Sequence, residues 1–127
     1  MRTFTEVGRR VPLHCTGVGK ALLSTLGDDE ARAILRHSTL STHTATTIVE
    51  VDALLDELAG IRARGYALDE GEMEVGVRCV AMPVSVPGMS PMALSVSGPA
   101  VRMNDDLAGR AAPALSRACA ALAAALT

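Results

Sequence analysis

Residues 75–97 read VGVRCVAMPVSVPGMSPMALSVS, and this stretch decides the fold class. Two mainly apolar runs, residues 75–86 and 92–97, flank a turn of proline, glycine and serine at residues 87–91. Because a turn this short reverses the chain, the two runs are predicted to pair as an antiparallel hairpin. The sheet that contains them is therefore expected to be antiparallel.

Side chains alternate between the two faces of a strand, which divides this hairpin into two surfaces. One face carries Ser95 and Ser97 on the second strand and Val77 and Cys79 on the first. Two hydroxyls two residues apart in an apolar sheet need hydrogen-bonding partners if they are buried. A ligand carboxylate, backbone groups and water are the candidate partners.

The rest of the chain is predicted to be mostly helical. Apolar residues recur at helical spacing from Val51 to Ile61, and Gly65 is a typical C-terminal stop. Asn104, followed by two aspartates, is a suitable N-cap for a long C-terminal helix. The other expected elements are a strand at residues 3–11, helices at 17–26 and at 28–37 with Asp28 as its cap, and a strand at 66–69. This order favours an α+β fold, an antiparallel sheet flanked by helices, over a doubly wound sheet.

The bulk composition bounds the function classes. A chain of 127 residues with 49% hydrophobic and 20% charged residues is expected to form one domain, residues 1–127, with a substantial core. No apolar run approaches the roughly 20 residues of a membrane span, and the N-terminal residues lack the apolar segment of a signal peptide. The chain is therefore expected to be cytoplasmic, with no membrane partner.

Direct nucleic-acid binding by this chain is disfavoured. The net charge is −2, Lys20 is the only lysine among 12 basic residues, and the arginines are scattered. The sequence contains one phenylalanine, Phe4, one tyrosine, Tyr66, and no tryptophan. Domains that bind DNA or RNA typically show a basic stripe or stacking aromatics, and neither is present in this sequence.

The cysteines and histidines match no catalytic or metal-binding motif. Three cysteines, far apart and without a CxxC pair, indicate neither a disulfide framework nor a zinc ribbon. A thiol enzyme would have to pair Cys15 or Cys79 with His14, and no family signature supports that pairing. His37 and His43 add no standard metal-ligand spacing. The sequence therefore predicts no catalytic residues, no metal site and no cofactor.

Residues 12–23, PLHCTGVGKALL, form a glycine-punctuated turn that leads into an apolar helix. Thr16 can cap this helix, and Gly17 and Gly19 allow close backbone approach where amides lack intrahelical partners. A small carboxylate would suit the amides of Gly17 and Val18. The alternative is that the glycines only make a tight turn.

An acidic run, Asp69 to Glu74, precedes the hairpin, and its glutamates are expected to be mostly solvated. Asp69 could accept a hydrogen bond from a ligand or order the loop amides. A small, mostly apolar pocket is predicted, with Val77 and Cys79 as its walls, Ser95 and Ser97 as its floor and the amides of the helix start closing it.

Four ordered motifs give the chain a resemblance to the effector-binding domain of the IclR (isocitrate lyase regulator) family of bacterial transcription regulators. They are residues 8–14 (GRRVPLH) with 16–23 (TGVGKALL), 61–69 (IRARGYALD), 72–84 (EMEVGVRCVAMPV) and 93–99 (ALSVSGP). The resemblance implies a GAF-like fold whose curved antiparallel sheet holds a small organic or aromatic acid. The ligand-contacting positions it implies are Gly17, Val18, Asp69, Val77, Cys79, Ser95 and Ser97.

The resemblance also implies a homodimer or tetramer whose arrangement the ligand shifts, so that DNA binding is controlled. Relatives carry an N-terminal winged helix-turn-helix, which is not expected within these 127 residues, so DNA is an expected partner only through such a domain. The chain is also expected to lack the first strands of the family domain. Two alternatives stay open: a truncated oligomerisation module that pairs with full-length relatives, and a Cys/His-dependent enzyme.

Overall fold

The computed structural model describes residue 8 and residues 10–127. The helices are α1 (Gly17–Leu23), α2 (Asp28–Arg36), α3 (Val51–Arg64) and α4 (Asp105–Ala125), and the strands are β1 (Ala67–Glu70), β2 (Val77–Val84) and β3 (Met92–Pro99). This arrangement confirms the α+β class. The strand expected at residues 3–11 lies largely outside the described residues, and residues 10 and 11 belong to no strand.

The three strands form one antiparallel sheet in the order β1-β2-β3. The β2–β3 pair is the predicted hairpin. In its register Cys79 is opposite Asp69 on β1 and opposite Ser97 on β3. Two residues further along β2, on the same face as Cys79, Ala81 is opposite Ser95 of β3. The predicted alternation of faces is therefore confirmed, and the candidate residues of β1, β2 and β3 share one surface.

Helices cover both faces of the sheet. On the face with Cys79 and Ala81, α1 packs directly on the strands, and α2 and α3 complete an apolar cluster that includes Leu35, Leu54 and Leu58. On the opposite face, Val80 lies against Ala108, Ala112 and Leu115 of α4. Because side chains of β2 alternate between the two faces, they contribute to two separate hydrophobic clusters. Helix α1 packs on the face that carries the candidate residues.

Two of the predicted helix ends are confirmed and two others differ from the prediction. Gly65 ends α3 in the left-handed conformation, with φ +92°, and the Asn104 side chain accepts from the Leu107 amide at 2.9 Å, as expected. Asp28, however, is the first residue of α2 rather than its cap, because Gly27 holds the cap position. Helix α1 ends at Leu23, before the expected residue 26, since the chain tightens there into three-residue hydrogen-bonded turns.

Within the described part of the chain, no helix is both long enough and apolar enough to cross a bilayer.

Candidate functional site

The start of α1 is held close against the sheet by its glycines. Thr16 caps the helix by accepting from the Gly19 amide at 3.1 Å and donates its hydroxyl to the Pro12 carbonyl at 2.6 Å. A Cβ on Gly17 would lie 2.8 Å from Cys79 Sγ, and one on Gly19 would lie 2.5 Å from the Leu13 carbonyl oxygen. Glycine is therefore needed at both positions for steric reasons: the backbone at Gly17 lies close to the sheet, and the backbone at Gly19 lies close to the preceding loop.

Gly17 lies over a row of polar side chains that crosses the sheet. Asp69, Cys79 and Ser97 occupy neighbouring positions of β1, β2 and β3 in this row, which we call the effector row. Ser95 follows in the next row. The structure thus places five of the seven candidate positions side by side.

The two remaining candidates border this group. Val18 is half-buried and packs against the apolar cluster under α1. Val77 begins β2, opposite Pro99, two residues from Cys79 and on the same face. Both contribute apolar surface.

In the effector row, the members on β1 and β2 are buried and the member on β3 is exposed. Asp69 is 7% exposed and Cys79 is 6% exposed, whereas Ser95 and Ser97 are exposed to solvent. Strand order alone does not account for this, since β1 and β3 are both outer strands of the described sheet, and Asp69 on β1 is covered by the acidic run, where it accepts from the Glu72 amide. The serines therefore line an open side of the site, where the sequence suggested a buried floor, and their hydroxyls can reach a molecule arriving from solvent.

Burial also sets the protonation of the two buried members of the row. Burial raises the pKa of the Cys79 thiol, and the hydroxyls of Ser97 and Ser95 oppose that shift. Burial raises the pKa of Asp69 to about 6, although the carboxyl accepts a hydrogen bond from the Glu72 amide at 2.8 Å. Near neutral pH the site therefore holds a protonated thiol and a carboxyl that titrates close to the physiological range.

Sequence reasoning missed a buried ion pair beside Asp69. The Lys20 side chain is 1% exposed and its Nζ lies 2.9 Å from Glu72 Oε2, with the Leu68 carbonyl at 2.6 Å. Glu72, 3% exposed, also accepts from the Glu70 amide at 3.0 Å. The expectation of solvated glutamates is thus wrong for Glu72, because α1 brings a cation to it.

One signal of this pair was present in the sequence. Lys20 is the only lysine, and it lies inside the apolar run Gly19 to Leu23, where a solvated lysine is not expected. Its partner could not be chosen among the glutamates of the acidic run without the fold.

Replacing Asp69 by asparagine is expected to change the pH dependence of stability. The folded state holds the Asp69 proton more tightly than the unfolded chain, whose pKa is the ordinary 3.8 against about 6 when folded. The stabilisation from this proton is complete below the unfolded pKa and is lost as pH rises through about 6. Relative to Asp69→Asn, the wild-type free energy of unfolding should therefore fall by up to about 3 kcal/mol over this window. Urea unfolding at several pH values measures this difference, and a constant difference would contradict it.

The thiols are poorly suited to nucleophilic catalysis. Burial, followed by the charges of Asp69 and Glu72, raises the pKa of Cys15 to about 11. The pKa of Cys79 is also raised by burial. Because the thiolate is the nucleophile, both cysteines are largely unreactive near neutral pH. This favours the non-enzymatic interpretation.

Two cavities lie away from the effector row. One of about 370 Å³ is formed by residues 84–87 and 89–92 at the hairpin turn together with Thr25. Another of about 170 Å³ lies between residues 12–14 and Leu35 with residues 38–40. Neither contains a residue of the candidate set.

Comparison with known proteins is consistent across sequence and structure. The family model described as bacterial transcriptional regulator IclR C-terminal matches residues 1–124. The HTH-type transcriptional regulator BhcR of Paracoccus denitrificans is 42% identical over 106 residues, which cover 83% of this chain and 38% of BhcR.

Solved structures agree. The Thermotoga maritima IclR structure superposes with a TM-score of 0.90 at 30% identity, covering 98% of this chain and 51% of that one. The PobR inducer-binding domain from Acinetobacter, a double mutant in complex with 3-hydroxybenzoic acid, superposes with a TM-score of 0.85 at 29% identity, covering 93% and 69%. The chain spans well under half the length of the curated relative it matches.

Proposed function

Since the chain belongs to the IclR family of bacterial transcriptional regulators and corresponds to their C-terminal domain, we propose that it senses a small organic acid at the effector row. One observation carries this proposal. Gly17 faces Cys79 at the centre of a row that runs from buried Asp69 to exposed Ser97. Backbone amides and two hydroxyls are thereby gathered around a partly apolar surface, which is the chemistry that holds a carboxylate and its carbon skeleton.

Each residue has a distinct proposed role. The hydroxyls of Ser95 and Ser97 donate to the acid from the open side of the site, and the amides of Gly17 and Val18 donate from α1. Val77 and the side chain of Val18 contact the apolar part of the ligand. The arrangement suits a molecule with one charged end and a short carbon frame.

Asp69 makes binding sensitive to pH. When protonated it can donate a hydrogen bond to the acid, whereas its ionised form would repel a carboxylate in a partly dry site. With a pKa of about 6, Asp69 favours acid binding on the lower side of neutral pH. The structurally similar PobR inducer-binding domain was solved, as a double mutant, in complex with 3-hydroxybenzoic acid, which supports an acid as the ligand class here.

The regulatory role follows from the family. We propose that this domain forms a homodimer or tetramer, and that the acid binds one arrangement more tightly than another. A ligand with such differential affinity shifts the population and can thereby control DNA binding by a winged helix-turn-helix domain. Such a regulator would act in the bacterial cytoplasm.

The test begins with a thermal-shift screen of central-carbon and aromatic acids, because a specific ligand stabilises the folded state in proportion to its occupancy. For an acid that raises the melting temperature, Ser97→Ala is expected to weaken binding about 5- to 150-fold, the equivalent of roughly 1–3 kcal/mol. Ser116→Ala is the matched control, since Ser116 is exposed on α4. Equal calorimetric affinities for the two variants would refute the role of Ser97.

A further inference from the structure

A second group of chemically active side chains lies outside the effector row. His14, Cys15 and His43 each offer one ligand atom, and these three atoms lie within 4.8 Å of one another. His14 and Cys15 are buried, and His43 is exposed. Around a tetrahedral ion with bonds of about 2.0 Å to nitrogen and 2.3 Å to sulfur, ligand atoms are roughly 3.5 Å apart. A bound ion would therefore draw the three atoms slightly closer together, and His43 is the exposed member of the group.

The His14 imidazole is hydrogen-bonded to the loop that carries His43. His14 Nε2 lies 2.9 Å from the Ser41 carbonyl oxygen, and the two ring centroids are 6.1 Å apart. Because a carbonyl only accepts, Nε2 carries the proton, and Nδ1 keeps the lone pair that a metal requires. An imidazole N–H bonded to a backbone carbonyl is the usual outer support of a metal-bound histidine.

Threonines connect the loop that carries His43 to the acidic run Asp69 to Glu74 by hydrogen bonds. Thr44 Oγ1 donates to the Gly71 carbonyl at 2.6 Å, and Thr47 Oγ1 donates to the Glu72 carbonyl at 2.6 Å. The His43 amide donates to Thr47 Oγ1 at 3.1 Å. These bonds position His43 beside Cys15, and they give the Ser/Thr-rich connection a structural role that its sequence did not reveal.

A thioether adds a further soft donor. Met73, which belongs to the same acidic run, places its Sδ 3.5 Å from Cys15 Sγ. The local donor set is therefore two imidazoles, one thiol and one thioether, with Glu72 already paired to Lys20. Thiolate and imidazole suit Zn²⁺ and Cu⁺, whereas a thioether selects Cu⁺. Binding of either ion would displace the Cys15 thiol proton to solvent, so that the metal stabilises a thiolate that the free protein does not hold.

We propose that His14, Cys15 and His43 form a binding site for a d¹⁰ transition-metal ion, Cu⁺ with Met73 as fourth ligand or Zn²⁺ without it. The site is distinct from the effector row and does not depend on the acid-sensing role. Sequence spacing predicted no metal because His43 is brought to Cys15 only by tertiary contacts. A bound ion would join the loop before α1 to the loop that carries His43, and Cu⁺, with Met73 as a ligand, would also join them to the acidic run.

The test is metal titration of the chelator-stripped chain, with Zn²⁺ and separately with Cu⁺ under reducing, oxygen-free conditions, each in competition with a chromophoric chelator. One ion per chain is expected. His43→Gln is expected to weaken binding by at least ~100-fold, the upper range for loss of even an outer-shell partner. His37→Gln is the matched control, because His37 is also exposed but lies at the end of α2. It should leave the affinity unchanged.

Further variants keep the proposal falsifiable. With Co²⁺ as a probe, the thiolate-to-metal absorption band should be lost in Cys15→Ser and kept in Cys119→Ser. Met73→Leu should weaken Cu⁺ binding and leave Zn²⁺ binding unchanged. If Cys15→Ser does not fold, His43→Gln decides alone. Failure of the wild-type chain to bind either ion, or equal binding by His43→Gln and His37→Gln, would overturn the proposal.

Discussion

Replacing Lys20 by methionine is expected to lower the free energy of unfolding by about 3–5 kcal/mol. The substitution keeps most of the unbranched apolar stem of the side chain but removes the ammonium that lies 2.9 Å from Glu72 Oε2. Glu72 would then retain a buried charge without its cation, and Glu72 Oε1 has no partner within the described structure. Chemical denaturation of the variant and the wild type measures the loss.

Two controls separate this ion pair from general effects of charge. The double variant Lys20→Met/Glu72→Gln should recover much of the stability, because a neutral amide can still accept from the Glu70 amide. Arg110→Met removes one partner of an exposed pair with Asp106 and should cost no more than about 0.5 kcal/mol. A cost for Lys20→Met as small as that for Arg110→Met would contradict the role of the buried pair.

Replacing Gly19 by alanine is expected to destabilise the fold by about 2–3 kcal/mol. The added Cβ would lie 2.5 Å from the Leu13 carbonyl oxygen and 2.6 Å from both Leu13 Cα and Thr16 Oγ1. Two of these three atoms are backbone, so no rotamer change relieves the overlap, and the loop before α1 must move away from the helix. Melting temperature and urea midpoint both report this loss.

Gly109→Ala is the matched control for that substitution. Gly109 lies in α4, and a Cβ there meets nothing within 4 Å. Alanine is the better helix former, so this variant should be more stable than the wild type by roughly 0.5–1 kcal/mol. If both glycine substitutions stabilised the protein, the close packing of the α1 loop would be refuted.

Elements specified by local rules could be predicted from sequence. The apolar spacing of α3 and its stop at Gly65 depend on neighbouring residues, as do the β2–β3 hairpin and the Asn104 cap. The ordered motifs also identified the family, which the comparisons confirm. Strand alternation was enough to place Cys79 and Ser97 on one face.

Features that depend on contacts between distant segments could not be predicted. Asp69 and Ser97 both lie on outer strands of the described sheet, yet only Asp69 is buried, and strand alternation cannot reveal this difference. The Lys20–Glu72 pair requires α1 to meet the acidic run, and no periodicity encodes that contact. The prediction of Asp28 as the N-cap of α2 was wrong, because the extended residue just before the helix is Gly27.

The most direct test of the acid-sensing site is amide NMR of the chain titrated with the most stabilising acid of the thermal-shift screen. We expect the largest chemical-shift changes at the amides of Gly17, Val18, Ser95 and Ser97, which surround the effector row. The two cavities away from the effector row are the alternative binding sites for the acid. Shifts confined to residues 84–92 at the hairpin turn, or to residues 12–14 and 38–40, would contradict the assignment of the effector row as the sensing site.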